Sequence, residues 1–350
     1  MSVDYADSVD SVDSADSAAA GRARTATASA NANIALIKYW GKTDARLHLP
    51  TTSSLSLTLD ETWTTTTVSF DGGDGVQDVV TINGLRAQGT AFERVHRFLS
   101  LVRERAGLGE AEAASVTSTS MVPLAAGLAS SAAGFAALAG AASRAAGLDL
   151  DARELSRLAR RGSGSASRSV FGGLVRWNRG TDDETSYAEP VPCALDLAMV
   201  VVALDTGPKA VSSTEAMRRT MRTSPLYPAW VEASATELAE ALAAAEAGDL
   251  ERLGAVAEAN ALGMHATMVA ARPPVLYWRP GTVAVLHEVA ALRQAGLPVW
   301  ATMDAGPNVK VLTDTAHAAE AAAALGGLFP EASVTVRRGG EGIRYEQPGS

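Results

Sequence analysis

Several residue clusters in this chain have the chemistry to hold or transform a small anion. Pro123-Leu-Ala-Ala-Gly127-Leu-Ala-Ser130-Ser131-Ala-Ala-Gly134 is a turn of small residues running into a helix. Backbone N–H groups of such a turn can converge on a phosphate, the helix dipole adds favourable potential, and a serine hydroxyl can reach phosphate or Mg2+. The same composition suits close helix packing, so the segment alone leaves both readings open. Arg160-Arg-Gly-Ser163-Gly-Ser165-Ala-Ser167-Arg168-Ser169, followed by Phe171-Gly-Gly173, combines hydroxyls with an arginine whose planar fork matches a carboxylate or phosphate. Serine and glycine also favour a solvated linker, but apolar strand residues resume at once and leave little room for a spacer.

Three further segments carry charge where it could matter. Lys38-Tyr39-Trp40-Gly41-Lys42 joins two ammonium groups to two aromatics; taken alone, it reads as core packing with surface lysines. Lys209-Ala-Val-Ser212-Ser213-Thr214 offers a cation and three hydroxyls, or equally a capped helix start before Glu215-Ala-Met217. Asp304 precedes Ala305-Gly306-Pro307 at a strand end, which can aim a carboxylate into a cleft, although Asp before Gly-Pro is also a turn former.

The elements that must position these residues are mixed. Ile34 to Ile37, Ser54 to Leu59 and Thr64 to Phe70 read as strands, and Asn83-Gly84 after Val79 to Ile82 predicts a hairpin. Phe92, Val95, Leu99 and Val102 mark one face of a helix over 91–104. Ser130 to Ala146 and Asp151 to Arg161 are further helices, ended by Gly147 and Gly162. Strands at Leu174 to Trp177 and Ala198 to Leu204 lead to helices at about 230–246, 250–262 and 281–294. Val299 to Met303 and Val309 to Leu312 then flank the Asp304 loop. Without a regular βαβ repeat, the class is α+β.

Composition excludes other roles. The net charge of −9 and the lack of a basic stripe argue against nucleic acid. No apolar run approaches the ~20 residues of a membrane span, and the N-terminus lacks the regions of a signal peptide. The single cysteine, Cys193, fits a reducing cytoplasm. Residues 1–24, with Asp7, Asp10, Asp13 and Asp16 in register, read as a disordered acidic tail. Gly41-Lys42-Thr43 lacks the first glycine of a Walker A loop. The 162–167 segment lacks the third glycine of a dinucleotide fingerprint, and His287-Glu288 lacks a second zinc-ligating histidine.

Taken together, from about Ala30 to Tyr345, the chain resembles the diphosphomevalonate decarboxylases of the GHMP kinase superfamily. The motifs that carry the resemblance are Asn33-Ile-Ala-Leu-Ile-Lys38-Tyr-Trp-Gly-Lys42, Leu49-Pro-Thr-Thr-Ser-Ser-Leu-Ser56, Ala125 to Gly134, Gly162 to Ser165, Lys209 to Thr214, Met264-His-Ala-Thr267 and Asp304-Ala-Gly-Pro-Asn308. The resemblance implies a two-domain GHMP kinase-like fold, with a ribosomal protein S5 domain 2-like domain over 25–190 and a ferredoxin-like domain over 191–345. It implies ATP-dependent decarboxylation of mevalonate 5-diphosphate to isopentenyl diphosphate, Mg2+ with the ATP, a homodimer, and a cytoplasmic location.

By the same resemblance, Asp304 meets the substrate 3-hydroxyl and Arg168 clamps the carboxylate. Tyr39, Lys42, Ser163, Ser165 and Thr214 bind the diphosphate, with Arg94 as an addition. Asn33, Trp40, Gly41, Gly164 and Ser213 complete the substrate set. Ala126, Gly127, Leu128, Ser130 and Ser131 face ATP, and no carboxylate is nominated for the metal. The chain departs from the family pattern at Leu124, usually Thr, and at Ser167, usually Cys. A catalytically silent binding protein on the same fold is the rival class, and it would be expected to have lost Asp304 or Arg168.

Overall fold

The structure, a computed structural model, describes residues 24–70, 77–109, 112–121, 130–205, 207 and 210–346. The acidic tail up to residue 23, the Ala126 to Leu128 part of the small-residue turn, and Lys209 lie outside the described residues.

The first half contains β1 (Thr25–Ile37), β2 (Lys42–Asp44), β3 (Leu49–Pro50), β4 (Ser54–Ser69), β5 (Val79–Ile82), β6 (Leu85–Arg86), α1 (Gly89–Ala106), β7 (Ser115–Ser120), α2 (Ser130–Ala145) and α3 (Ala152–Gly162). A 3-10 helix (Gly164–Val170), β8 (Leu174–Trp177) and β9 (Ala188–Pro190) follow. The second half contains β10 (Leu197–Ala203), α4 (Ser213–Thr223), α5 (Tyr227–Ala247), α6 (Leu250–Val269), α7 (Pro280–Gln294), β11 (Trp300–Met303), β12 (Val309–Asp314), α8 (Ala318–Leu328), β13 (Ser333–Arg338) and β14 (Arg344–Tyr345).

An eight-stranded sheet has the path β14-β1-β4-β7-β5-β6, with β8 and β9 added beside β4. Its spine is the antiparallel pair β1 and β4, in register from Thr25 opposite Ser69 to Ile37 opposite Leu55. The two strand segments expected over 54–59 and 64–70 form this single strand. Between them the ladder slips, Glu61 takes φ 50°, and side chains stand in for lost backbone bonds. Thr62 Oγ1 accepts from Ala32 N at 3.1 Å and donates to Leu59 O at 2.9 Å. The expected hairpin is present, with φ of 49° at Asn83 and 77° at Gly84, the left-handed pair that matches strand twist.

The second sheet has the order β11-β12-β10-β13, antiparallel throughout. Chain order and strand order together make the ferredoxin-like arrangement, with α4 to α7 between its first two strands. The α+β class expected from the sequence therefore holds.

Helix boundaries follow local chemistry. Asp151 caps α3, and its partner Glu154 closes a capping box. Beyond the expected end at 262, α6 continues for two turns because Met264 and Met268 keep its buried face. The serine-rich segment that follows the expected helix end at Gly162 winds into the 3-10 helix Gly164–Val170, with Ala166 to Val170 buried. One apolar cluster joins Ile34, Leu36 and Leu55 of the first sheet to Met199, Val201 and Leu312 of the second. This shared core fixes the end of β1 against β10 and against β12, the strand into which the Asp304 turn leads. Among the described residues no helix is long and apolar enough to cross a membrane.

Candidate active site

Asp304 follows β11 directly and opens the turn into β12. The turn is pinned from several sides: Asn308 Oδ1 accepts from Leu204 N at 2.8 Å and Asp205 N at 3.0 Å, and Thr282 Oγ1 donates to Pro307 O at 2.7 Å. Two ammonium groups meet the carboxylate. Lys38 Nζ lies 3.0 Å from Oδ1, and Lys310 Nζ lies 3.5 Å from Oδ2. Lys38 follows β1, where its backbone N–H donates to Asn260 Oδ1 at 2.7 Å and its ammonium also reaches Ala35 O at 2.7 Å. It is buried, contrary to the surface placement expected from its own segment. Burial pulls its pKa down to about 8, even though Asp304 opposes that shift. On α6, His265 stacks on Trp278 at 5.3 Å; burial, then the nearby Lys38, push it down to about 4, so it is neutral.

Arg168 comes from the buried 3-10 helix. Its Nε donates to Asn33 Oδ1 at 3.1 Å and its Nη1 to Ser54 Oγ at 2.6 Å. Asn33 is itself held by Ser165 O at 3.0 Å and Ser169 Oγ at 2.8 Å. Among the described residues no carboxylate lies within 4.0 Å of this guanidinium. Burial lowers its pKa to about 10, and the field of Asp304 counters only in part. Among the described residues, three buried cations thus gather around one carboxylate, an excess of positive charge that a bound anion would neutralise.

Tyr39 packs edge-on to Trp177 at 4.7 Å, and burial raises its phenol pKa. A Cβ on Gly164 would lie 2.8 Å from Tyr39 Oη, so glycine is what lets the serine loop close on this hydroxyl. Further out, Ser131 Oγ is 3.3 Å from Ser163 Oγ, which is 3.5 Å from Ser165 Oγ. Arg94 reaches Gly162 O at 3.4 Å and lies over the Phe135 ring at 4.8 Å. Lys42 has its pKa lowered by burial and then by Arg94. Beside them His48 is pushed down to about 4 by burial and then by Lys42, with Nδ1 2.9 Å from Arg160 O.

Other expected residues act from behind the site or stand apart from it. Trp40 points into an apolar cluster with Tyr227, Trp230 and Met264. Gly41 has φ +110°, and a Cβ there would lie 2.0 Å from Tyr227 Oη. Ser213 and Thr214 occupy the first turn of α4; Thr214 is exposed, and no hydrogen bond among the described residues ties either to the Asp304 cluster. Ser130 and Ser131 start α2 and line a cavity of about 260 Å3 whose walls include Val80, Val95 and Leu138. Among the described residues no group of three His, Cys, Asp or Glu side chains could hold a metal.

Sequence reasoning missed Lys310, Ser54, Asn260, His48 and His265 as neighbours of the site. A charged residue within an otherwise apolar strand was the available signal for Lys310; the partners of the others lie too far away in sequence to be read locally.

Residues 30–188 match the diphosphomevalonate decarboxylase-like N-terminal domain, and residues 198–343 match the mevalonate 5-diphosphate decarboxylase C-terminal domain. The diphosphomevalonate decarboxylase of Ganoderma lucidum is 34% identical over 88% of this chain and 82% of its own length. A solved structure of MDDEF in complex with MVAPP, AMPPCP and magnesium superposes with TM-score 0.88 at 44% identity, covering 92% of this chain and 99% of that one. The mevalonate diphosphate decarboxylase from Enterococcus faecalis gives TM-score 0.86 at 44% identity, with the same coverage. With both halves matched and relatives aligned along most of its length, this chain belongs to the diphosphomevalonate decarboxylase family.

Proposed function

We propose that this protein catalyses ATP-dependent decarboxylation of mevalonate 5-diphosphate to isopentenyl diphosphate, releasing ADP, phosphate and CO2. The observation that carries the reading is the buried Arg168, bonded to neutral Asn33 and Ser54, in the field of Asp304, and without a carboxylate within 4.0 Å among the described residues. A buried guanidinium with only neutral partners is costly unless an anion completes it.

In this reading the γ-phosphoryl group passes to the substrate 3-hydroxyl, whose proton is lost. The C3–O bond then breaks with its electron pair leaving on phosphate, and the pair of the C–CO2 bond forms the alkene. Asp304 orients the hydroxyl or takes its proton, which otherwise passes to water, and offsets positive charge as it develops at C3. Arg168 grips the carboxylate, held by Asn33. Tyr39, Lys42, Ser163, Gly164, Ser165 and Arg94 receive the diphosphate, with Thr214 and Ser213 completing it from α4, while Trp40 and Gly41 shape the wall.

The cavity leading to Ser130 and Ser131 has apolar walls for a base and hydroxyls toward the phosphates, and Ala126 to Leu128, which immediately precede them in the sequence, belong to the same proposed nucleotide set. The donors there are hydroxyls, which fits a magnesium ion held largely through phosphate oxygens and water. The metal would supply charge neutralisation on the nucleotide; this chain's hydroxyls would orient it. Residues 25–190 and 191–345 serve as two domains, with β14 returning to the first sheet. A cytoplasmic homodimer completes the proposal.

The test is to incubate the purified protein with ATP and mevalonate 5-diphosphate, with the monophosphate as control, and to follow ADP and CO2 together. Equal amounts of both with the diphosphate support the reading. ADP without CO2 sinks it.

A further inference from the structure

Lys310 sits between Val309 and Val311 in β12, opposite Thr302 of β11. Residues opposite one another, and those two positions further along, share a sheet face, so its stem runs toward Asp304. Its ammonium lies 3.5 Å from Asp304 Oδ2, while Lys38 holds Oδ1 at 3.0 Å. Both lysine side chains are only 2% exposed. Stability does not account for a second ammonium here. Taking it out of water is costly, an apolar side chain of the same length is often as good or better, and Asp304 keeps Lys38 in either case.

We propose that Lys310 is a positioning residue for the decarboxylation: with Lys38 it clamps both oxygens of Asp304, holding the carboxylate in one rotamer where the substrate hydroxyl arrives. This rests on the function assigned to Asp304 above. Among the described residues, the charged and titratable groups facing the clamp include Asp304, Lys38 and Arg168, with His265 of α6 beside them. Lys310 is one of the like charges that hold the Lys38 pKa down.

The test compares wild type, Lys310→Met, Asp304→Asn and the double variant, with turnover read as both ADP and CO2. Lys310→Met should melt at or above the wild-type temperature, lose roughly 10- to 100-fold in kcat, and keep KM for both substrates within about threefold. Added to Asp304→Asn, it should cause no further loss, because the group it positions is gone. The alkaline limb of kcat/KM should move to higher pH as Lys38 loses a like-charged neighbour. Wild-type turnover in Lys310→Met overturns the proposal, as does a loss that multiplies fully with that of Asp304→Asn. Failure to fold, or a lower melting temperature with parallel loss of activity, also counts against it. Wild-type enzyme making ADP without CO2 overturns the function reading instead, and ADP formation by the variants still decides Lys310.

Discussion

The ammonium of Lys38 and the carboxylate of Asp304 meet at 3.0 Å although 266 residues separate them in the chain. The first sheet supplies one and the second sheet the other, so the proposed reacting centre exists only where the two sheets share a core. An apolar cluster running from Ile34 to Leu312 holds that junction, and Arg168 enters from the first half to complete it.

A pH dependence follows from Lys38. Burial lowers its pKa from 10.5 to about 8, so the protonated clamp on Asp304 is lost as pH rises through that value. We expect kcat/KM, which reports groups of the free enzyme, to fall above about pH 8. Stability has the opposite sign. Between about 8 and 10.5 the unfolded chain binds more protons at this lysine than the folded one, so its contribution to stability rises with pH in that window. A kcat/KM profile flat to pH 10 would contradict the assignment.

Arg168→Lys tests the guanidinium fork. A lysine cannot donate to Asn33 and Ser54 while presenting two parallel N–H groups to a carboxylate. The expected loss is on the order of 100-fold in kcat/KM for the carboxylate substrate, with KM for ATP little changed. Steady-state kinetics with each substrate varied in turn checks this; equal effects on both substrates would point to a general loss of structure.

Gly41→Ala tests the backbone that places Lys42. The position has φ +110°, and a Cβ would come within 2.0 Å of Tyr227 Oη, which donates to Trp40 O at 2.9 Å. Strain and displacement of a buried tyrosine together should cost about 2–4 kcal/mol, read by urea unfolding. A change below about 0.5 kcal/mol would mean that the turn relaxes freely.

Much of the fold around the candidate site is legible in local sequence. Asn83-Gly84 names its own turn, Asp151 and Glu154 announce a helix start, and the Asp304-Ala-Gly-Pro-Asn308 loop shows itself between two apolar strands. The illegible parts are those decided at long range. The serine-rich segment after Gly162 shows no helical periodicity, yet burial against Asn33 and Ser156 winds residues 164–170 into a 3-10 helix. Lys38 looks like a surface lysine because its partner belongs to the other sheet. The strand β7 has a polar Ser/Thr sequence that parallel pairing with β5 stabilises, and no local signal reports that.

Asp304→Asn is the most direct test of the account. The change preserves shape and removes one negative charge from among three buried cations, so binding of the anionic substrate should be kept or tightened. We expect Kd values for ATP and mevalonate 5-diphosphate within a few-fold of wild type or lower, and kcat for CO2 release reduced by roughly 10³-fold or more. Near-normal turnover in that variant would remove the Asp304 carboxylate from the chemistry.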